Sequence, residues 1–231
     1  MRPTGRPAGL GRASVRRLSA GLGAVATVLA VGLCACGTNR PEIPAGLLGV
    51  CESTDAGGYP AGPYGTEEGD LVGDLSFMGW RDPSAVGYEG DLVKIAFSDY
   101  YDPTGKSYEV LLVNTCAGWC LACRDEHRTL PAFYSQWAPE GLVIISAYFQ
   151  NALRDPPSVA DLSAWTMASA SNFPMVLDPD FQMQAYASAD SAPLNLVVDA
   201  RTMRILKKVL GNQPEVINPF IESVLTARGP G

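Results

Sequence analysis

The order of predicted elements places this chain in the α/β class, with a central mixed sheet flanked by helices. Three observations carry the prediction. Tyr108–Asn114 is an apolar, β-rich run of the kind that a sheet buries. A helical pattern, Leu121 to about Trp137, follows it almost at once, with an apolar stripe at Leu130, Phe133, Tyr134 and Trp137. More strand and helix segments come next, and the chain closes on a strand hairpin and an amphipathic helix. No internal repeat is present. A length of 231 residues at 47% hydrophobic suits one globular domain with non-globular ends.

Residues 1–35 stand outside that fold. Arg2, Arg6, Arg12, Arg16 and Arg17 form a basic stretch without one acid, and Leu18 to Leu33 is apolar. Leu33-Cys34-Ala35-Cys36-Gly37 follows. The pattern resembles a bacterial lipoprotein signal, which implies cleavage before Cys36 and lipid on that residue. The alternatives are an ordinary secretory signal or an uncleaved anchor, although the apolar run is short of the ~20 residues of a spanning helix. The residues around Arg16-Arg17 match the twin-arginine export pattern poorly. Export implies a compartment where disulfides persist.

These 35 residues hold five of the 17 Lys and Arg and none of the 24 Asp and Glu. The remainder has twelve cations against 24 acids, a formal charge of −12. Such a surface argues against nucleic acid and against electrostatic binding to anionic lipid.

Residues 36–68 are rich in Gly, Pro and acids without a sustained period, and read as a tether. Cys51 lies there, either as an accessory thiol or in a disulfide with Cys116; spacing does not decide between them. The domain is expected over 69–231. Gly69–Phe77 reads as its opening strand, Gly90–Asp99 as a second, and Asp102-Pro103-Thr104-Gly105 as a turn. Beyond the long helix, Leu142–Phe149 is β-rich, and Ser158 caps a helix to about Ala168. A short strand at Phe173–Leu177 and a short helix at Phe181–Ala187 follow. Leu194–Asp199 and Met203–Lys208 form the hairpin, and Pro214–Thr226 the last helix.

The chemistry concentrates at the junction Asn114-Thr115-Cys116-Ala117-Gly118-Trp119-Cys120-Leu121-Ala122-Cys123. Cys120 and Cys123 form a C-x-x-C pair where strand becomes helix. The first turn of a helix leaves backbone N–H groups without partners and carries partial positive charge. A thiolate at Cys120 gains from that field, so its pKa is expected below the free value of ~8.5. Cys123 lies one turn on, within reach of a disulfide. The structural alternative is half a zinc site, but a second C-x-x-C or a His pair at ligand spacing is missing from the sequence.

The strand–W-C-x-x-C–helix context resembles the thioredoxin superfamily. The G-x-x-x-x-D run at Gly69–Asp74 resembles redoxin-type proteins. The long gap between Cys123 and Pro193, filled by a strand–helix insertion, resembles the TlpA/ResA-type branch of membrane-tethered, extracytoplasmic thioredoxins. The resemblance implies thiol–disulfide oxidoreductase activity, with Cys120 as nucleophile and Cys123 as resolving thiol. It implies a cis-proline at Pro193, with Ala192 and Pro193 lining a docking groove and Trp119 shaping the substrate surface. It implies no cofactor, cysteine-containing exported proteins as substrates, a membrane thiol transporter as electron donor and a place in the bacterial envelope. Asn114 stands where thioredoxin has a buried Asp. An amide cannot relay a proton, so another base or water must serve Cys123. Glu126 is the candidate, at the place of a Glu in many relatives; otherwise it merely complements the helix dipole. Leu121-Ala122 replaces a pair that usually contains Pro, and Arg128 stands where many relatives have a helix-kinking proline, with Pro131 later.

The sequence also admits other function classes. Cys116, Cys120, Cys123 and His127, the only histidine, offer donors for a copper or zinc carrier. Against it, a lone His is most often a satisfied or solvent-facing one. A peroxiredoxin-like antioxidant role lacks its hydroxyl residue: Val113, Ala117 and Cys120 stand three before the three cysteines. A degenerate redoxin that binds a partner without turnover is the third alternative.

Overall fold

The computed structural model describes residues 58–228. The expected signal at 1–35, the lipid-bearing Cys36, Cys51 and the residues beyond 228 lie outside the described range. A seven-stranded mixed sheet runs through the domain in the order β2-β1-β5-β4-β3-β6-β7. Its strands are β1 Ser76–Trp80, β2 Val93–Ala96, β3 Val110–Ala117, β4 Leu142–Gln150, β5 Met175–Leu177, β6 Leu194–Asp199 and β7 Ile205–Leu210. The centre, β3-β4-β5, is parallel, and both flanks are antiparallel. The α-helices among the described residues are α1 Leu121–His127, α2 Leu130–Trp137, α3 Val159–Ser169 and α4 Pro214–Arg228.

Period-two alternation sorts the sheet into two cores. Val110, Leu112, Leu142 and Ile144 face one apolar cluster, whereas Leu111, Val113, Val143 and Ile145 face the other. The apolar residues that α1 to α4 bury fully all belong to the first cluster. The second is closed by 3-10 turns and the N-terminal segment, through Phe97, Tyr100, Met183 and Val72. The α-helices therefore gather over one face of the sheet.

Several boundaries differ from the sequence expectation. The opening strand starts at Ser76, not Gly69. Leu71 makes only isolated bridges, to Tyr64 and Arg204. Backbone bonds to residues 203–205 stop at the Val72 N–H; the Tyr59 hydroxyl donates to the Val72 carbonyl and the Gly73 N–H to the Tyr186 hydroxyl, so side chains end the pairing there. The domain edge drawn at residue 69 falls inside packed structure: Tyr59 joins the second core, and Glu67 and Glu68 pair with Lys208 and Lys207. The helix expected over 121–137 is two helices. Pro131 has no N–H for the carbonyl four residues back, and it starts α2 well because the first turn needs none. Phe181–Ala187 contains a 3-10 turn, Gln182–Ala185, whose first amides donate to the Asp178 carboxylate.

Candidate active site

Parallel β3 delivers the chain to the C-terminal edge of the sheet. Gly118 lets it pass beneath the β4–α3 loop, because a Cβ there would lie 2.5 Å from the Tyr148 hydroxyl and 2.6 Å from the Ala152 nitrogen. Arg124 donates to the Gly118 carbonyl at 2.5 Å. Cys120 is the N-cap of α1, in extended backbone, and its sulfur accepts the Cys123 N–H at 3.0 Å. Cys120 and Cys123 are joined by a disulfide with Cα atoms 5.3 Å apart. Cys120 is 4% exposed and Cys123 fully buried, so only the first cysteine borders solvent.

The Ala192 carbonyl oxygen lies 3.7 Å from the Cys120 sulfur. The Ala192-Pro193 bond is cis. Leu194, next in the chain, donates its N–H to the Thr115 hydroxyl on β3, which ties this turn to the strand that carries the dithiol. Trp119 stands on the other side. Its indole N–H donates to Gln150 at 3.0 Å, Phe149 meets it edge-on, and the Arg154 guanidinium lies 3.9 Å from its ring centre. Trp119, Cys120, Cys123 and Ala192-Pro193, separated by up to about seventy residues in sequence, thus meet at one edge of the sheet.

A polar rung crosses the sheet beneath the disulfide. The register pairs Asn114 on β3 with Ser146 on β4 and with Asn195 on β6. All three are fully buried, and α1 lowers Glu126 and His127 onto them. Asn114 Nδ2 donates to Glu126 Oε2 at 2.7 Å and to Asn195 Oδ1 at 2.9 Å. Asn195 Nδ2 donates to Glu126 Oε1 at 2.7 Å. Asn114 Oδ1 takes the Ser146 hydroxyl at 2.7 Å and faces His127 Nε2 at 3.1 Å.

One assignment of hydrogens satisfies this rung. Trp165 Nε1 can only donate, and it points at His127 Nδ1, 3.3 Å away. His127 Nδ1 is therefore an acceptor, and Nε2 carries the proton toward Asn114 Oδ1. Ser146 spends its hydroxyl proton on the same oxygen, so Cys116, 3.4 Å from Ser146 Oγ, is the donor of that contact. Burial holds His127 down to about 3, in its neutral form, and pushes the Cys116 thiol up. Burial also raises Glu126 to about 7, a rise that the two amide donors only partly offset.

Two expectations change here. Glu126 does not serve a first turn; it is the sixth of seven residues in α1, at 4% exposure. The four donors weighed as a metal set do not converge: two are in the disulfide, Cys116 is turned to Ser146, and His127 to Asn114 and Trp165. Among the described residues no group of three or more His, Cys, Asp or Glu is arranged to hold a metal ion. Asn195, Ser146, Trp165 and Arg154 were not singled out in the sequence. Asn195 and Ser146 had a signal, each a polar residue inside an apolar strand; Arg154 had none.

No protein-family model matches the chain, and no curated protein matches it in sequence. Solved structures do. A Chlorobium tepidum protein, provisionally named thiol:disulfide interchange protein DsbE, is 19% identical with a TM-score of 0.53, over 69% of this chain and 98% of that one. The thioredoxin domain of a thiol-disulfide oxidoreductase from Bacteroides vulgatus is 17% identical with a TM-score of 0.52, over 68% and 98%. A thiol:disulfide interchange protein of the thioredoxin family from Chlorobium tepidum is 13% identical with a TM-score of 0.51, over 69% and 98%. At these identities the likeness establishes the fold, which is thioredoxin-like.

Proposed function

We propose that this domain is a thiol–disulfide oxidoreductase acting through Cys120 and Cys123. The observation that carries the proposal is the disulfide at the start of α1, with its outer sulfur on a backbone N–H and facing Ala192. In the reduced protein that N–H favours a thiolate at Cys120. The thiolate attacks a substrate disulfide, a Cys120–substrate bond forms, and the first substrate sulfur leaves as thiolate. Cys123 gives up its proton, attacks Cys120 and expels the second substrate sulfur. The dithiol loses two electrons and two protons, and the substrate gains them. Glu126, one turn beyond Cys123, is the proposed proton acceptor. Ala192, Pro193 and Trp119 form the proposed docking surface, where a substrate chain pairs by its backbone.

The cellular setting is part of the proposal. A lipid on Cys36 tethers the domain to the outside of a bacterial membrane. Its substrates are exported proteins with cysteines, reduced with electrons from a membrane thiol donor. The signal-like N-terminus and the names of the structural counterparts support this setting.

A redox titration in metal-free glutathione or dithiothreitol buffers tests the chemistry, with mass spectrometry to locate the bond. A reversible Cys120–Cys123 disulfide near roughly −270 mV marks a reductant, and one near roughly −120 mV an oxidant. A titration without a reversible bond between those sulfurs refutes the proposal. Loss of membrane association in Cys36→Ser tests the anchor.

A further inference from the structure

One cation beside the disulfide is held in place by more than its own side chain. The loop from β4 to α3 turns over residues 151–155. The Asn151 N–H donates to the Asp155 carbonyl at 3.0 Å and the Arg154 N–H to the Asn151 carbonyl at 3.1 Å. The Asn151 side-chain oxygen accepts from the Leu153 and Asp155 amides at 2.9 and 3.0 Å. Within this turn Arg154 takes φ +69°, a left-handed conformation sparsely occupied by residues other than glycine. The consequence is position: its guanidinium carbon sits 3.9 Å from the Trp119 ring centre, and its Nη1 lies 3.9 Å from Asp190 Oδ1.

Trp119 precedes Cys120, and Asp190 stands two residues before Ala192. Arg154 therefore touches both segments that carry the docking surface proposed above. Its two contacts differ in character. The ring contact is close, and Trp119 is itself fixed on Gln150. The ion pair is at the outer limit of such contacts, between side chains 55% and 90% exposed, where pairing contributes little. A carboxylate arriving with the substrate can take the place of Asp190 while the guanidinium keeps its stack, and the planar, multi-donor guanidinium suits that exchange.

We propose that Arg154 is a specificity-determining residue of the exchange reaction. It pairs with an acidic side chain next to the reacting cysteine of a peptide or protein substrate, and Asp190 is its placeholder in the free protein. This rests on the oxidoreductase reading above, and the test separates the two.

The probes are three peptide disulfides that differ only in the residue beside cysteine: Glu, Gln or Lys. Their second-order rate constants with the reduced full-length protein are followed by tryptophan fluorescence. Arg154→Ala is expected to lower the Glu-to-Lys rate ratio about tenfold, and Arg154→Glu to lower it further. Arg154→Lys keeps the charge and most of the ratio, which separates charge from a damaged loop. Asp190→Asn raises the rate with the Glu peptide. A Glu-to-Lys ratio unchanged within about twofold in Arg154→Ala overturns the proposal and leaves the oxidoreductase reading standing. Failure of the reduced protein to react with any of the three peptides overturns both.

Discussion

Replacing Glu126 with Gln tests the buried rung through the pH dependence of stability. In the unfolded chain this carboxyl titrates at its ordinary value of 4.5, and in the fold at about 7. Between those values the folded state holds a proton that the unfolded state has released. The unfolded state binds fewer protons there, so stability falls as pH rises through the window. Each pH unit is worth about 1.4 kcal/mol, which makes the full loss roughly 3 kcal/mol. It is absent below pH 4.5 and complete above pH 7. Gln cannot ionise, but both Glu126 oxygens accept from amide donors, so its NH2 would face one of them, a cost that does not change with pH. Relative to the parent, the variant should gain ~3 kcal/mol between pH 4.5 and pH 7, starting from the constant offset set by the mismatched amide. Urea unfolding of the oxidised proteins, at several pH values between about 4 and 8, measures that difference. The other titrating groups are common to both chains and cancel. A difference that stays flat refutes the argument. One that grows in the opposite sense means that the Asn114 and Asn195 amides outweigh burial and that the carboxylate is the favoured form. The same variant should show slower exchange, by about a hundredfold or more if Glu126 accepts the Cys123 proton.

Three further outcomes follow from the same geometry. His127 has the opposite sign: its folded value of about 3 lies below its ordinary 6.5, so stability is lost as pH falls through that range, and His127→Phe should remove about 5 kcal/mol of acid sensitivity, read from urea midpoints between roughly pH 3 and 7. Gly118→Ala pushes a methyl into the Tyr148 hydroxyl and the loop backbone, which should cost about 1–3 kcal/mol and lower the Tm; an unchanged Tm would mean the loop yields freely. Arg228→Met removes the cation that pairs with the buried Asp199 carboxylate at 2.8 Å, while Glu109 keeps its pair with Arg201, and should cost roughly 3–5 kcal/mol in urea unfolding at neutral pH.

The parts of the fold legible in sequence were those where one local pattern dominates. Tyr108–Asn114 and Leu142–Phe149 are long apolar runs, and both became central strands within a few residues of their expected ends. The capping of α3 by Ser158 was equally local, with the hydroxyl accepting the Asp161 N–H. Where the outcome depends on a distant partner, local pattern misleads. Leu71 alternates as a strand residue should, and its segment exchanges backbone hydrogen bonds with residues 203–205, yet the pairing amounts to an isolated bridge and no regular strand forms. Arg154 shows the same limit at the site. Nothing near it marks a recognition residue, because its position comes from Trp119 and Asp190, 35 residues before it and 36 after it.

The rung beneath the disulfide explains a departure that was legible but not interpretable. Asn114 stands where thioredoxin has a buried Asp, and on its own that exchange removes a proton acceptor. With Glu126 in place the amide gains a role of its own. Asn114 Nδ2 lies 2.7 Å from Glu126 Oε2, so an Asp at 114 would set two carboxylates in direct contact inside the core, where both cannot be ionised. It would also deprive Asn195 Oδ1 of its donor. The amide does what a carboxylate could not: it donates to the acid and to Asn195, while its oxygen accepts from Ser146 and His127. The ionisable group has in effect moved from β3 to α1, and positions 114 and 126 form one coupled choice. Ser146 and Asn195 complete it only because the β3–β4 and β3–β6 registers bring them level with Asn114. A polar residue inside an apolar strand reads as an exception until its neighbours across the sheet are known. Three such exceptions at one level, under a helix that carries an acid and a histidine, make a continuous path of hydrogen bonds from Glu126 to the half-buried Trp165, beneath Cys123.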